Sequence, residues 1–464
     1  MAIVAPFKAL RFNPRKLECL EDVVTPPYDI IDEQKQAAFQ ARNPYNMIYL
    51  DISKSPGKGD DSEERYNSAR DYFIKWQEED ILIRDVEPAF YLYLIDYKLP
   101  SGLRFTRKGF IGLVKLSDFS EGIVKPHEQT FDTVTADRLR LMDTCKAQFS
   151  QIFSLYSDPE MQIMTALEAG CSEKPLYEVR DADGGKHSIW PVTDKETLAR
   201  VQELFKDNAL YIADGHHRYK TSLQYSKVMK ERQGELSPQS PYNYTMMYLC
   251  PMEDPGLKVL PTHRLVTLPD DVLPGIPTMD ELASMLSAYF HLEEITGCSR
   301  EVFLGEVLAR MEERFLTKQQ ESIMFGLYHA DEDRCFMLTL KKKAGEIEAL
   351  ANRPAALQDL DVVVLSDLVV ENILGLTYER IENDNLVRYF ADPDEALDVA
   401  VKECVECDTS LNLLFLMNNT KVSQVKRVAD EQLIMPHKAT YFYPKILTGF
   451  VLNKLIEDEK IGPA

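Results

Sequence analysis

The chain has 464 residues, 45% hydrophobic and 28% charged, enough apolar material for large cores and too little bias for a disordered or fibrous protein. Asp and Glu outnumber Lys and Arg by 75 to 53, giving a formal charge of −22 that repels a phosphate backbone, so nucleic acid is not an expected partner. No stretch approaches the roughly 20 apolar residues of a membrane span, and the start, MAIVAPFKALRFNPRK, has neither the apolar core nor the cleavage pattern of a signal peptide, so a cytoplasmic protein without membrane partners is expected.

In chain order, Thr25-Pro26-Pro27-Tyr28-Asp29 must run extended, because a residue before proline is driven out of helical geometry. Asp60-Asp61-Ser62 offers caps for a helix to about Glu79, with Tyr66, Ala69, Tyr72, Phe73 and Trp76 recurring at three and four. Phe90–Leu99 and Phe105–Leu116 read as a hairpin about Gly102. Helices are expected over Thr135–Phe153 and Glu196–Lys206. A short apolar strand, Ala209–Ala213, runs into Asp214-Gly215-His216-His217-Arg218 and a helix to about Arg232, and Thr245–Cys250 is a buried strand.

Pro269, Pro274 and Pro277 cluster near a domain boundary, expected to divide residues 1–265 from 266–464. Beyond it come a helix at Met279–Tyr289, strands at Ser322–Tyr328 and Cys335–Lys341, and a long apolar helix at Leu360–Leu374. A strand at Leu411–Met417 and helices at Lys421–Glu431 and Lys445–Leu455 complete the pattern. Cys404 and Cys407 form a lone CxxC without a second pair or nearby histidine, a weak zinc signature, and the eight sparse cysteines fit reduced thiols. Strands and helices alternate in both halves, which gives an α/β or α+β fold with mixed sheets.

The strongest chemical signal is Tyr211-Ile212-Ala213-Asp214-Gly215-His216-His217-Arg218-Tyr219. A strand, a glycine turn and a helix start present unpaired backbone N–H groups and a positive dipole end, which suits an oxyanion. Gly215 lets backbone approach a ligand, and Arg218 can fork two phosphate oxygens. Asp214 cannot bind an anion; it could hold Mg²⁺, orient a histidine or accept a proton. The competing reading is a capped helix with structural histidines. A second cluster, Lys125-Pro126-His127-Glu128-Gln129-Thr130 followed by Asp137-Arg138, offers Glu128 as a general base and Arg138 as a phosphate contact, against a solvated loop and helix cap. Pro261-Thr262-His263-Arg264 could complete a cationic pocket or end a strand. Met435–Lys445, with Lys438 and Lys445 among aromatic residues, could hold a phosphate or an adenine ring, or be core. There is no Walker loop, no GxGxxG after a strand and no GxSxG elbow.

Five motifs in order, VTPPYDII at 24–31, PHEQTFDTVTADRL at 126–139, YIADGHHRYKTSL at 211–223, PTHRL at 261–265 and MPHKATYFYPKILTG at 435–449, resemble the domain of unknown function 1015 family over essentially the whole chain. The Asp-Gly-His-His-Arg turn also resembles, locally, the ParB-like and sulfiredoxin-like superfamily, including its free L-serine kinase. Sulfiredoxin chemistry needs a cysteine in the turn, where this chain has His216 and His217.

The resemblance implies a ParB-like nucleotide-binding core over 1–265, with the 266–464 domain contributing to the site. It implies transfer of a phosphoryl group from ATP or ADP, with Mg²⁺, to the hydroxyl of free L-serine. Glu128, Asp214 and His216 are then the catalytic candidates, and Asp214 the metal ligand. Gly215, His217, Arg218, Arg138, His263, Arg264 and Lys438 would hold nucleotide and phosphate; His127, Thr130 and Lys445 would hold the substrate. The expected partners are a nucleotide and a small hydroxy amino acid, with a homodimer left open as the assembly. Two other classes compete: a ParB-like nucleotide-binding regulator, and a metal-dependent hydrolase using His127, Glu128, His216 and His217.

Overall fold

Glycine and chain reversal set the first long hairpin. Phe90–Lys98 and Arg104–Lys115 pair antiparallel, closed by Leu99 N–H on the Leu103 carbonyl at 2.8 Å, with Gly102 at φ +90° in the turn. The computed structural model describes residues 1–52, 63–99, 101–269, 278–296, 300–316, 323–406 and 410–462. The caps Asp60-Asp61-Ser62, Pro274, Pro277 and Cys407 of the sequence reading lie outside the described residues.

The chain forms two compact units, one of Met1–Lys258 with Phe442–Ala464 and one of Val259–Tyr441. The division is therefore not a single cut, because the chain returns to the first unit at Phe442.

In the first unit, among the described residues, nine strands form one mixed sheet. Its order is Val124–Lys125, Leu210–Asp214, Ile152–Tyr156, Tyr244–Pro251, Arg104–Lys115, Phe90–Lys98, Lys186–Val192 and Tyr177–Arg180, with Val4–Ala5 also pairing on Arg104–Lys115. Two pairs are parallel: Leu210–Tyr211 with Val124–Lys125, and Tyr244–Pro251 beside Ile152–Tyr156. The central strand Tyr244–Pro251 is buried at every position, as a strand covered on both faces must be. One face packs Phe110, Leu249, Phe90 and Leu92 against Ile163 and Leu167 of helix Gln162–Gly170 and Leu198 and Val201 of helix Lys195–Phe205. Helix Glu63–Glu78 buries Tyr66, Ala69, Phe73 and Trp76, the expected stripe less the more exposed Tyr72.

Two expected helices are corrected. In place of a helix over Thr135–Phe153, the helix is Asp132–Cys145, ended by Lys146 in the left-handed region at φ 50° with its N–H on the Met142 carbonyl. Phe149, Ile152 and Phe153 keep helical spacing, but Ile152–Tyr156 is buried on both sides and forms a strand between two others. In place of a helix over Lys445–Leu455, the segment is extended, with Thr448 opposite Thr25, Leu452 opposite Leu10, and Asn453–Lys454 paired with Ala147–Gln148. Residues Ile446 to Asn453 are all buried, whereas a surface helix would bury one stripe. Gly449, at φ +114°, sits where a Cβ would lie 2.6 Å from Met47 Cγ.

In the second unit, a six-stranded sheet is antiparallel throughout, in the order Phe290–Glu294, Arg334–Leu340, Met324–His329, Ser410–Leu416, His263–Pro269, Val387–Phe390. Phe303, Leu304 and Val307 of helix Arg300–Leu316 and Ala396, Leu397 and Ala400 of helix Pro393–Glu406 cover one face. The apolar run from Leu360 is helical, continuing as a wide π-type helix over Val364–Ile373. The fold is thus mixed α/β, with mixed and antiparallel sheets. Among the described residues no helix is long and apolar enough to cross a membrane.

Candidate functional site

The parallel pairing of Val124–Lys125 with Leu210–Tyr211 brings two loops together, because parallel neighbours end on the same side of a sheet. The loop after the first carries His127, Glu128 and Thr130; the turn after the second carries Asp214 and Gly215 and opens helix His216–Gln233.

Gly215 caps that helix at φ +92°, a left-handed conformation, with no side-chain cap. Arg218 folds back over it, so that a Cβ on residue 215 would lie 2.7 Å from Arg218 Nε. The Arg218 guanidinium donates from Nη1 to the Gln151 carbonyl and from Nη2 to Asp214 Oδ2 at 3.1 Å. Burial opposes its charge, but Asp214 and then Asp29 more than restore it, and the net pKa is raised. Asp214 meets a second cation at its other oxygen, Lys445 Nζ at 3.5 Å from Oδ1. Burial alone would raise the Asp214 carboxyl; Lys445 and Arg218 offset that and hold it at about 2, with Glu128 opposing them. The strap from Phe442 carries Lys445 there, anchored by Gln151 Nε2 on the Leu447 carbonyl at 2.8 Å.

The histidines fasten the two loops to each other. His216 Nε2 accepts the His127 backbone N–H at 3.2 Å. In the neutral ring the proton therefore sits on Nδ1, which faces Glu128 Oε2 at 3.4 Å. The His127 and His216 rings stand edge to face, 4.7 Å between centroids. Burial, then the neighbouring His216, pushes His127 down to about 3, so it is neutral at physiological pH. His217 Nε2 accepts the Phe131 N–H at 2.9 Å, and its ring stacks on Phe131. Thr130 is half-buried in the same loop.

Arg138 lies on the helix after this loop and is already engaged. It donates to the Asp51 carbonyl at 2.8 Å and to Asp137 Oδ2 at 2.7 Å, and stacks 4.3 Å over the Tyr28 ring. Asp51 Oδ2 also accepts Ser150 Oγ at 2.5 Å. Tyr28, Asp51, Ser150 and Gln151 are not among the site residues expected from the sequence. Tyr28 carries a signal, since it lies within the 24–31 motif; the other three carry none. Tyr28, Asp51, Arg138, Ser150 and Arg218 line a cavity of about 40 Å³, room for water rather than for a nucleotide.

The remaining candidates lie in the second unit, where they make interactions of their own. His263 Nδ1 accepts the Met417 N–H at 3.0 Å, and burial lowers the ring to about 4, with Asp392 opposing. Arg264 donates to the Val362 carbonyl at 3.3 Å and to Ser366 Oγ at 2.7 Å, and lies 5.6 Å over the Tyr389 ring. Lys438, exposed and at φ 54°, gives its carbonyl to Thr262 Oγ1 at 2.8 Å. Among the described residues no group of three or more His, Cys, Asp and Glu is arranged to hold a metal ion.

In the first unit this is a mixed α/β protein with a strand–glycine–helix turn, two carboxylates and two cations at one sheet edge. The chain matches the profile of the protein of unknown function DUF1015 family over residues 4–363, most of its length, and belongs to that family. No curated protein matches it. Among solved structures it is similar to a free serine kinase in complex with AMP, at 11% identity and TM-score 0.30 over 69% of this chain and 83% of that one. It is also similar to a conserved hypothetical protein from Pyrococcus furiosus, at 12% identity and TM-score 0.31 over 70% and 89%. A third is SbnI with a C-terminal truncation from Staphylococcus aureus, at 9% identity and TM-score 0.34 over 75% and 90%.

Proposed function

We propose that the protein is a small-molecule kinase that transfers a phosphoryl group from ATP or ADP to the hydroxyl of a small amino acid such as free L-serine. The observation that carries this reading is the meeting of the Glu128–His216 pair with the glycine turn whose Asp214 is flanked by Arg218 and Lys445. The local resemblance of the Asp-Gly-His-His-Arg stretch to nucleotide-binding turns supports it, and the reading rests on the first unit alone.

Phosphoryl transfer needs positioned cations and donors more than covalent chemistry. The N–H groups at the start of helix His216–Gln233 and the Arg218 guanidinium would receive the phosphates. His217 holds the Phe131 loop against that helix start. Glu128, at 27% side-chain exposure, can accept the proton of a substrate hydroxyl, with His216 Nδ1 steadying its charge. The freed oxygen then bonds to the terminal phosphorus as the bond to the nucleotide oxygen breaks. Lys445 lies beside the reacting groups and neutralises charge. Asp214 is the carboxylate that would hold a magnesium ion brought by the nucleotide, which would supply positive charge to the phosphates.

The test is purified protein with ATP or ADP, Mg²⁺ and L-serine, with O-phosphoserine read by mass spectrometry. Product is expected, and Glu128→Gln should reduce it at least a hundredfold while ADP affinity stays within about threefold. Normal turnover in Glu128→Gln would remove the base role, and no product with either nucleotide would overturn the serine-kinase reading.

A further inference from the structure

Four consecutive strands of the first unit's sheet end in cations on one face. In sheet order they are Arg104–Lys115, Phe90–Lys98, Lys186–Val192 and Tyr177–Arg180, and their cations are Arg104, Lys98, Lys186 and Arg180. Arg104 is directly opposite Lys98, and Lys186 directly opposite Arg180. Cross-strand partners share a face, and so do residues two apart on a strand. Asp96 is the partner of Lys186 and stands two residues before Lys98, so all four cations share one face. Like charges set opposite each other on a sheet repel. The chain has 75 acidic residues to 53 basic ones, yet among the described residues Lys98, Arg104 and Arg180 make no ion pair with any carboxylate. Lys186 is paired, with Asp96 at 3.3 Å and Glu178 at 3.6 Å.

These strand ends enclose a cavity of about 570 Å³, a size that takes a small molecule. The four cations line it together with two carboxylates, Asp96 and Asp183. Asp96 is already satisfied, by Lys186 and by Thr106 Oγ1 at 2.5 Å. Partial burial and the neighbouring Asp181 raise the Asp183 carboxyl, with Lys35 opposing. Three further carboxylates lie nearby and are engaged elsewhere. Asp181 pairs with His187 at 2.9 Å, Glu21 accepts the Arg180 backbone N–H at 2.7 Å, and the buried Asp254 accepts the Gly256 N–H at 2.8 Å.

The cavity is remote from the glycine turn. Asp214, Phe153, Tyr248 and Ile111 form one row across the sheet. Arg104 precedes Ile111 on its strand by about 23 Å, at about 3.3 Å per residue. A ligand with one anionic group offsets one opposed pair of cations and leaves the other repelling. Two phosphoryl groups offset both, one between Lys98 and Arg104 and one between Lys186 and Arg180, with a guanidinium in each pair to fork the oxygens.

We propose that this cavity binds a small molecule carrying two or more phosphoryl groups, at a site separate from the glycine turn. The proposal stands on the sheet register and the cavity and does not depend on the kinase reading.

The test is isothermal titration of the full chain with pyrophosphate, inorganic phosphate, citrate and a hexaglutamate peptide at about 0.15 M salt. Pyrophosphate should bind wild type at least about tenfold more tightly than the other three. The double variant Lys98→Gln with Arg104→Gln changes two exposed side chains. It should weaken pyrophosphate at least about tenfold without lowering the thermal midpoint, since it removes a repulsion. Lys445→Gln, at the glycine turn, should leave pyrophosphate within about twofold of wild type. The proposal is overturned if the double variant binds pyrophosphate as wild type does, or if Lys445→Gln removes the binding. It is overturned equally if citrate or the peptide binds more tightly than pyrophosphate, or if no anion binds. Absence of O-phosphoserine in the kinase assay would leave this site standing.

Discussion

Gly215→Ala concentrates two separable costs in one methyl group. The residue sits at φ +92°, and an alanine held in so sparsely populated a conformation costs about 1–3 kcal/mol. The added Cβ would also lie 2.7 Å from Arg218 Nε and 2.8 Å from Cζ, too close to stay. The guanidinium must then leave the Gln151 carbonyl and Asp214. Hydrogen bonds to charged groups contribute about 1.5–3 kcal/mol each, and partial rehydration returns some of that. A total loss of about 3–5 kcal/mol follows, a large part of the 5–15 kcal/mol typical of a folded domain. Urea unfolding should show it as a lower midpoint at unchanged slope. Introduced into Arg218→Ala, the same change should cost only the backbone part, about 1–3 kcal/mol. Equal costs in both backgrounds would refute the close-packing argument. A loss under 1 kcal/mol in the wild-type background would refute the conformational one as well.

Two further outcomes are expected. His127 is held at about 3, below its ordinary 6.5, so the unfolded chain binds a proton that the folded chain does not, and the stability it contributes is full above pH 6.5 and lost as pH falls toward 3. His127→Gln should flatten the fall in stability between pH 6 and 4.5 by about 1.4 kcal/mol per pH unit, read from urea midpoints at each pH; parallel profiles would sink this. Gly449→Ala should lower stability by about 2–4 kcal/mol, from its φ of +114° and the 2.6 Å approach to Met47 Cγ, and a thermal midpoint within 1 °C of wild type, the resolution of calorimetry, would contradict it.

The sequence carries local order better than it carries partnership. The hairpin about Gly102, the strand into Asp214 and the helix from His216 are visible because period and turn chemistry agree within a few residues. Asp132–Cys145 reads too long because Phe149, Ile152 and Phe153 keep helical spacing although Ile152 and Phe153 lie in a strand; spacing alone does not say what covers the other face. The strap after Pro444 misleads for the same reason, since all-round burial erases the periodic contrast on which amphipathic patterns depend. At the site, the Asp-Gly-His-His-Arg turn and the His127-Glu128 pair can be picked out by residue type. Asp51 and Gln151 cannot, because ordinary polar residues acquire meaning only from Arg138 and Arg218, far away in the chain.

The return of the chain at Phe442 has a consequence for the order in which this protein matures on the ribosome. Val259–Tyr441 can close its own antiparallel sheet as soon as it emerges. The earlier-made residues must wait for Thr448, Leu452 and Asn453 to reach Thr25, Leu10 and Gln148. The part synthesised first is therefore the part completed last, and Asp214 gains Lys445 only once the chain has been made past Phe442. A nascent chain stalled before Phe442 would carry the Asp214-Gly215 turn without its second cation. The Lys445–Asp214 contact thus doubles as a signal that translation has run to the strap.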